Sequence, residues 1–307
     1  MEITLRYFSI GGFEIYWYGV LIGLGVLAAV LAASKREKVL GLRDETALTL
    51  ALAVVPFGII GARLYYVLFH PEYYHSLKEI LNLRDGGLAI YGGLIFGLIA
   101  GTLTAQVRRQ SVVRLCDLAF PCVALAQAIG RWGNFLNQEA HGMLISNAAL
   151  QFFPVAVYIR GSWYAATFFY ESLWCLSIYL VICCLPSRKW FLQKGEGLLG
   201  YMTLYSFERC AVEGLRTDSL YLGAARVSQL LSAVILCVCC AWLLRRFSAK
   251  PVIWTVYALC AAALMLSASA LLPFWAMYIG LPALFALCVF AWWRTRRTGK
   301  AQSGTEE

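Results

Sequence analysis

The sequence calls for an all-α fold, a polytopic bundle of membrane-spanning helices. Three features say so: 61% of the residues are hydrophobic against 14% charged, mean hydropathy is +0.68, and the apolar residues gather in runs long enough to cross a bilayer. A soluble domain carries roughly 25% charge, and a chain this apolar has too little polar surface to cover itself in water. The same balance excludes disordered, collagenous and disulfide-scaffold proteins. Nearly all of the eleven cysteines lie inside apolar runs and read as small buried hydrophobes. Cys237, Cys239 and Cys240 have no His or acidic neighbour that would make a metal site, and neither a metal nor a cofactor is expected.

A span needs about 20 apolar residues at 1.5 Å rise each. Ile15 to Ser34 supplies the first without a charge. The next run from about Thr46 to Phe69 with Arg63 inside, Gly86 to Val107, Leu115 to Phe135 with Arg131 inside, and Trp163 to Leu185 with Glu171 inside. Gly197 to Leu215 and Val227 to Leu244 complete seven. Pro251 to Trp293 has no Asp, Glu, Lys, Arg or His and, as helix, is about twice as long as a bilayer core is thick, so it must cross twice. Pro273 is the natural turn, since it ends helical hydrogen bonding and disfavours helix in the residue before it. The domain division expected is therefore a core over residues 1–247 and an extra hairpin with a short tail over 248–307. The longest external loop, about Leu136 to Ser162, has room for a small surface element. No cleaved leader is expected, because the first apolar run is longer than a signal-peptide core and Glu2 precedes it.

Lys and Arg collect in alternate loops. One set holds Lys35, Arg36, Lys38 and Arg43, then Arg108, Arg109 and Arg114, then Arg188, Lys189 and Lys194, then Arg245, Arg246 and Lys250, and finally the tail. Seventeen such residues on that side face five on the other, Arg6, Lys78, Arg84, Arg160 and Arg216. The bias predicts an N-terminus outside and a C-terminus in the cytoplasm. It also accounts for the net charge of +9 without a nucleic-acid partner.

Charge inside a bilayer costs at least about 2.5 kcal/mol at a helix centre, so each such residue is a functional candidate. On this topology Arg63, Tyr91, Arg131, Glu171, Arg209, Glu213 and Arg226 fall at one depth, toward the outer leaflet, from six spans. Snorkelling at a helix end or a plain ion pair explains any one of them, but neither requires a shared depth. A polar cavity open to the outer leaflet does. Its excess of arginine suits an anionic phosphate headgroup, which the planar guanidinium grips with two parallel hydrogen bonds. In Gly130-Arg131-Trp132-Gly133-Asn134-Phe135-Leu136-Asn137-Gln138-Glu139, two glycines permit close backbone approach and Arg131 shares a helical face with Asn134.

At these residues the sequence resembles the bacterial prolipoprotein diacylglyceryl transferases. Gly130 to Gly142 looks like that family's signature. Trp17-Tyr18-Gly19, Gly61-Ala62-Arg63, Gly86 to Leu94, Thr167 to Ser172 and Glu208 to Asp218 follow the family order across residues 1 to about 247. The resemblance implies an enzyme of the bacterial inner membrane with partners drawn from that membrane. It would move the sn-1,2-diacylglyceryl group of phosphatidylglycerol to the lipobox cysteine thiol of a prelipoprotein, leaving a thioether and glycerol-1-phosphate. Displacement at an sp3 carbon needs the departing phosphate stabilised, which fixed arginines do well at low dielectric. Arg131 and Arg209 are the candidates for the phosphate, and the resemblance adds Tyr18, Asn134, Glu139 and Glu213 to the lipid site beside Arg63 and Glu171. Glu213 is expected to orient Arg209, and Glu139 to fix the loop.

Tyr91 stands where many members have His, often assigned as the base. A tyrosine, with pKa about 10, is a poorer base at neutral pH. Three accounts stay open: the cationic cavity favours the thiolate, whose free pKa is about 8.5; another group takes the proton; or Tyr91 only positions the lipid. The helical pair Pro251 to Trp293 is a further departure, as is Ala165-Ala166 where the family has His-Pro. Of another class, a transporter of anionic lipids would also gather arginines, but near the midplane between repeated halves, and no repeat is visible.

Overall fold

The computed structural model of the chain describes residues 2–3, 6–83, 86–246, 249–269, 271 and 277–303. Strands β1 (Glu2–Ile3), β2 (Tyr7–Ile10) and β3 (Phe13–Tyr16) form an antiparallel sheet, with Ile10 opposite Phe13. Gly11 and Gly12 join β2 to β3, both with positive φ, as a two-residue hairpin loop requires. This hairpin takes Ile15 and Tyr16 out of the expected first span, and helix α1 runs instead from Trp17 to Val39. Helix α2 (Thr46–Phe69) follows, its first turn capped by the Glu37 carboxylate, which accepts from the Ala47 amide at 2.7 Å. A short helix α3 (Leu77–Leu81) lies in the next loop, capped by Ser76. Helix α4 (Ile90–Val107) starts four residues later than expected because Gly86 and Gly87 both adopt positive φ.

Helix α5 (Val112–Asn137) leads to a small two-stranded sheet, β4 (Ala156–Ile159) with β5 (Ser162–Ala165). Strand β5 occupies the first residues of the expected fifth span. Helix α6 therefore begins at Thr167, runs to Tyr179 and is prolonged by a π-helical turn to Cys184. Helix α7 (Glu196–Glu213), the hairpin β6 (Tyr221–Leu222) with β7 (Ala225–Arg226), and α8 (Val227–Arg246) follow. The last two helices are α9 (Pro251–Ala268) and α10 (Met277–Ser303). The turn assigned to Pro273 lies outside the described residues. Among the described residues eight helices are long and apolar enough to cross a membrane. The ninth expected span is α7, equally long but carrying Glu196, Glu208, Arg209 and Glu213. It is accommodated because its acidic residues are buried against neighbouring helices and not against lipid.

Small residues decide which helices meet. A side chain on Gly61 of α2 or Gly92 of α4 would overlap the other helix's backbone, so these two cross in direct contact. Helices α1 and α5 make a second close pair, with Gly25 against the Ala126 backbone and Gly133 against the Tyr18 ring. Between the two pairs an apolar cleft of about 410 Å³ remains, lined by residues such as Val26, Val54, Gly93, Leu98, Leu118 and Ala126. On the other flank α7 and α8 share one core with α9 and α10 through Cys210, Leu236, Leu243, Leu264, Leu281 and Leu284. At the end of the bundle opposite Arg131, buried Arg36 donates to the carbonyls of Asp117, Ile182 and Phe191. Asp117 accepts from the amides of Gly195 and Leu198 at 2.7 and 3.0 Å and so caps α7. Glu196 receives Arg246 and the Trp292 indole, tying α8 and α10 to the same end of α7.

Candidate active site

Antiparallel packing brings the C-terminal turns of α5 and α7, the first turns of α6 and the entry to α8 to one end of the bundle. Helix α5 ends at Gln138, which adopts φ 55° and turns the chain away. The loop folds back on the helix, where the Glu139 carboxylate accepts from the side-chain amides of Asn134 and Asn137, each at 3.2 Å. The Ala140 carbonyl then accepts from Thr167 at 3.0 Å, and a side chain on Gly142 would collide with Ala165 and Thr167. Trp132 donates to Ser172, and Ser172 to the Ala128 carbonyl, closing α5 onto α6. One turn of α5 before Asn134, Arg131 is thereby held toward α6.

Glu171 of α6, 1% exposed, is the centre of the site. It forms ion pairs with Arg131, with Arg209 at 3.5 Å and with Arg216 at 3.2 Å. Glu213 holds Arg209 from the next turn of α7 at 2.5 Å, and Asp218 holds Arg216 at 2.7 Å. Arg226 donates to the Glu213 carbonyl and to the Tyr221 hydroxyl, which anchors the hairpin to the end of α7. A buried carboxylate with three guanidiniums costs desolvation that is returned only by good geometry and full hydrogen bonding. Outside the spans, burial works against charge on both Arg216 and Asp218, but their mutual hydrogen bonds outweigh it. Arg216 is raised above the ordinary arginine value and Asp218 is lowered below the ordinary carboxylate range.

Not every donor is used. The Arg131 side chain is 19% exposed and only its Nη2 meets a carboxylate, so Nε and Nη1 carry no protein partner among the described residues. Beside the cluster, buried Glu208 presents two carboxylate oxygens without a hydrogen bond among the described residues.

The sequence candidates therefore divide. Arg131, Glu171, Arg209 and Glu213 come together in one network, while Asn134 and Glu139 form the adjoining loop and the Tyr18 ring packs on Gly133. Arg63 stands apart, and the expectation that it lines the cavity is corrected by its hydrogen bonds. All three nitrogens of its guanidinium donate, to the carbonyls of Glu79, Ile80, Asn82, Gly86 and Gly87 and to the Tyr74 hydroxyl, between 2.7 and 3.1 Å. Its charge is absorbed by one loop. Tyr91, in the first turn of α4 and 37% exposed, makes no hydrogen bond or ion pair with the cluster. Arg216 and Glu208 were not among the candidates, although Arg209, Glu213 and Arg216 stand at helical spacing i, i+4, i+7. His141 packs at a tilt against Tyr164 in the loop, at 4.2 Å between ring centres.

A family model described as prolipoprotein diacylglyceryl transferase matches residues 6–245, ending in the last turn of α8. Among similar curated proteins, one from Bacillus mycoides (strain KBAB4), named phosphatidylglycerol–prolipoprotein diacylglyceryl transferase, is 46% identical over 237 residues, covering 75% of this chain and 87% of the relative. A protein of the same name from Clostridium kluyveri (strain ATCC 8527) is 43% identical over 232 residues, covering 74% and 90%. Another from Bacillus cereus (strain B4264) is 46% identical over 231 residues, covering 73% and 85%.

Proposed function

The chain belongs to the prolipoprotein diacylglyceryl transferase family, and from that premise we propose how its residues carry out the transfer of a diacylglyceryl group from phosphatidylglycerol to a prolipoprotein. The acceptor is the thiol of a lipobox cysteine and the products are a thioether and glycerol-1-phosphate. The site faces the outer leaflet of the bacterial inner membrane, with the N-terminus outside and the C-terminus in the cytoplasm, a reading that the distribution of Lys and Arg supports. Residues 1–247 form the transferase unit, and α9 with α10 is an addition to it.

The observation that carries the assignment is Arg131. It is clamped through Nη2 by Glu171, while its side chain as a whole stays partly exposed. Guanidinium N–H groups that no described residue accepts are donors for phosphate oxygens. Arg209, already oriented by Glu171 and Glu213, adds positive charge beside them. As sulfur attacks the sn-3 carbon and the carbon–oxygen bond breaks, negative charge grows on the departing phosphate. Cations already in place in a site shielded from water stabilise that charge without having to reorganise. Asn134 and Glu139 fix the loop over the headgroup, and Tyr18 borders it from α1. Tyr91 enters the assignment because it lies two residues before Gly93, the first residue of α4 to line the apolar cleft, and on this reading it borders the lipid. The cleft's lining ends at Gly93 and Ala126, within about one and a half helical turns of Tyr91 and Arg131. Acyl chains in that cleft would bring the phosphate to the arginines.

The test uses purified protein with headgroup-labelled phosphatidylglycerol and a lipobox peptide containing one Cys, beside the Cys→Ser peptide. Release of glycerol phosphate coupled to a diacylglyceryl mass gain only on Cys is the expected result. Headgroup binding without release, beside a working control enzyme, would overturn the assignment in favour of a lipid-binding protein without turnover.

A further inference from the structure

The reaction leaves one requirement unmet by the arginine network, because the acceptor thiol must lose its proton before sulfur can displace the phosphate. We propose that Glu208 is the base that takes it; the proposal rests on the transferase reading above. Every other carboxylate of the site is already an acceptor: Glu171 from Arg209 and Arg216, Glu213 from Arg209, Glu139 from two asparagine amides and Asp218 from Arg216. Glu208 is 3% exposed, and neither of its oxygens accepts a hydrogen bond from any described residue. A buried polar group in that condition demands a partner, and for the ionised carboxylate that partner is a donor.

The setting points to that donor being the acceptor peptide's thiol. Glu208 precedes the phosphate-facing Arg209 on α7 and lies within electrostatic reach of Arg131 from α5 and Glu171 from α6, as well as Arg216. Cys175 of α6 and Tyr205 of α7 lie within the same electrostatic reach. A sulfur atom placed for attack beside a phosphate on Arg131 and Arg209 is therefore near the one carboxylate of the cluster neither of whose oxygens accepts a hydrogen bond from a described residue. The alternative acceptor, Tyr91, has no polar contact with this network. In the step, the S–H bond breaks and its proton passes to a Glu208 oxygen. Sulfur then bonds to the sn-3 carbon as the carbon–oxygen bond breaks, the electron pair leaves on the phosphate oxygen, and Glu208 returns its proton to that phosphate. No oxidant or reductant is involved.

The test compares wild type, Glu208→Gln and Glu208→Asp, each with a Cys lipobox peptide and with the same peptide carrying selenocysteine. A selenol is far more acidic than a thiol and is ionised at neutral pH without a base. Glu208→Gln is expected to lose about 100-fold or more with Cys and less than about 10-fold with selenocysteine. Glu208→Asp should fall between, and all three proteins should retain phosphatidylglycerol and elute as one species. Full activity of Glu208→Gln on Cys, or an equal loss on both nucleophiles, overturns the proposal; the latter would make Glu208 a ligand of the headgroup hydroxyls or a structural group. If Glu208→Gln does not fold, Glu208→Asp decides by the same ratio. Wild type inactive on the Cys peptide would defeat the transferase reading itself, which the Cys→Ser control separates from failure of the base.

Discussion

Glu171→Gln is the substitution whose consequences can be worked out most fully. It keeps shape and one acceptor oxygen but removes the charge on which Arg131, Arg209 and Arg216 converge. Unit charges about 4 Å apart are worth about 4 kcal/mol at an effective dielectric of about 20, and unpairing a buried ion costs about 3–5 kcal/mol. Glu213 and Asp218 still hold Arg209 and Arg216, so the loss amounts to about one such pair, centred on Arg131. Two effects of opposite sign follow. The thermal midpoint falls, while a bound anion, now the counter-charge in direct contact with Arg131, gains. If half of the pair energy reappears as affinity, glycerol phosphate binds roughly 10- to 100-fold more tightly at about 1.4 kcal/mol per tenfold, and turnover becomes limited by product release. The assay is differential scanning fluorimetry with and without glycerol-1-phosphate, joined to the product inhibition constant. An unchanged midpoint together with an unchanged inhibition constant would refute the account of Glu171 as the counter-ion of the site.

Arg131→Ala and Arg209→Ala should each fold and insert normally yet lose about 100-fold or more in turnover, the scale of a lost charge-stabilising donor; normal turnover in the lipobox-peptide assay would remove that residue from the site. Arg63→Ala should leave the Glu171 network intact but release the loop it holds, seen as faster proteolysis between residues 70 and 88, and Arg63→Lys should not restore protection, because a point charge cannot reach six acceptors in the guanidinium plane. Asp218 is protonated at lower pH in the folded chain than in the unfolded one, so its pairing with Arg216 favours the fold fully above about pH 4 and is lost as pH falls through the folded value. The thermal midpoint of wild type should drop across that acid window and that of Asp218→Asn should drop less; coincident profiles would count against the pairing.

Much of the fold could be read from apolar run lengths, because a bilayer sets the helix length and leaves few alternatives. The errors fall where a run is continued by strand. Ile15, Tyr16 and Trp163 are as apolar as the helices they precede, yet the Gly11-Gly12 turn and the pairing of Ser162 with Ile159 draw them into hairpins. Depth along a span correctly grouped Arg131, Glu171, Arg209 and Glu213, but depth says nothing of direction. Arg63 shares their level and points into its own loop. Arg216 was counted as an external charge because it follows the last helical residue of α7. The chain continues there as hydrogen-bonded turns, Leu215 to Val212 and Arg216 to Glu213, which keep it on the face of Arg209. Glu208 was legible only as part of a motif, since what distinguishes it is the absence of a donor, and sequence cannot display that.

The two glycine-zipped pairs, α2 with α4 and α1 with α5, are stiff walls on either side of a lax, oily seam. A lipid that reaches Arg131 along that seam arrives sideways and never passes through water. Its effective concentration is then a mole fraction in two dimensions. Adding inert lipid to a vesicle should slow this enzyme, whereas diluting the vesicles in buffer should not slow its encounter with the lipid donor. Supply of the donor is set by membrane composition, and only a soluble peptide acceptor would restore a dependence on volume.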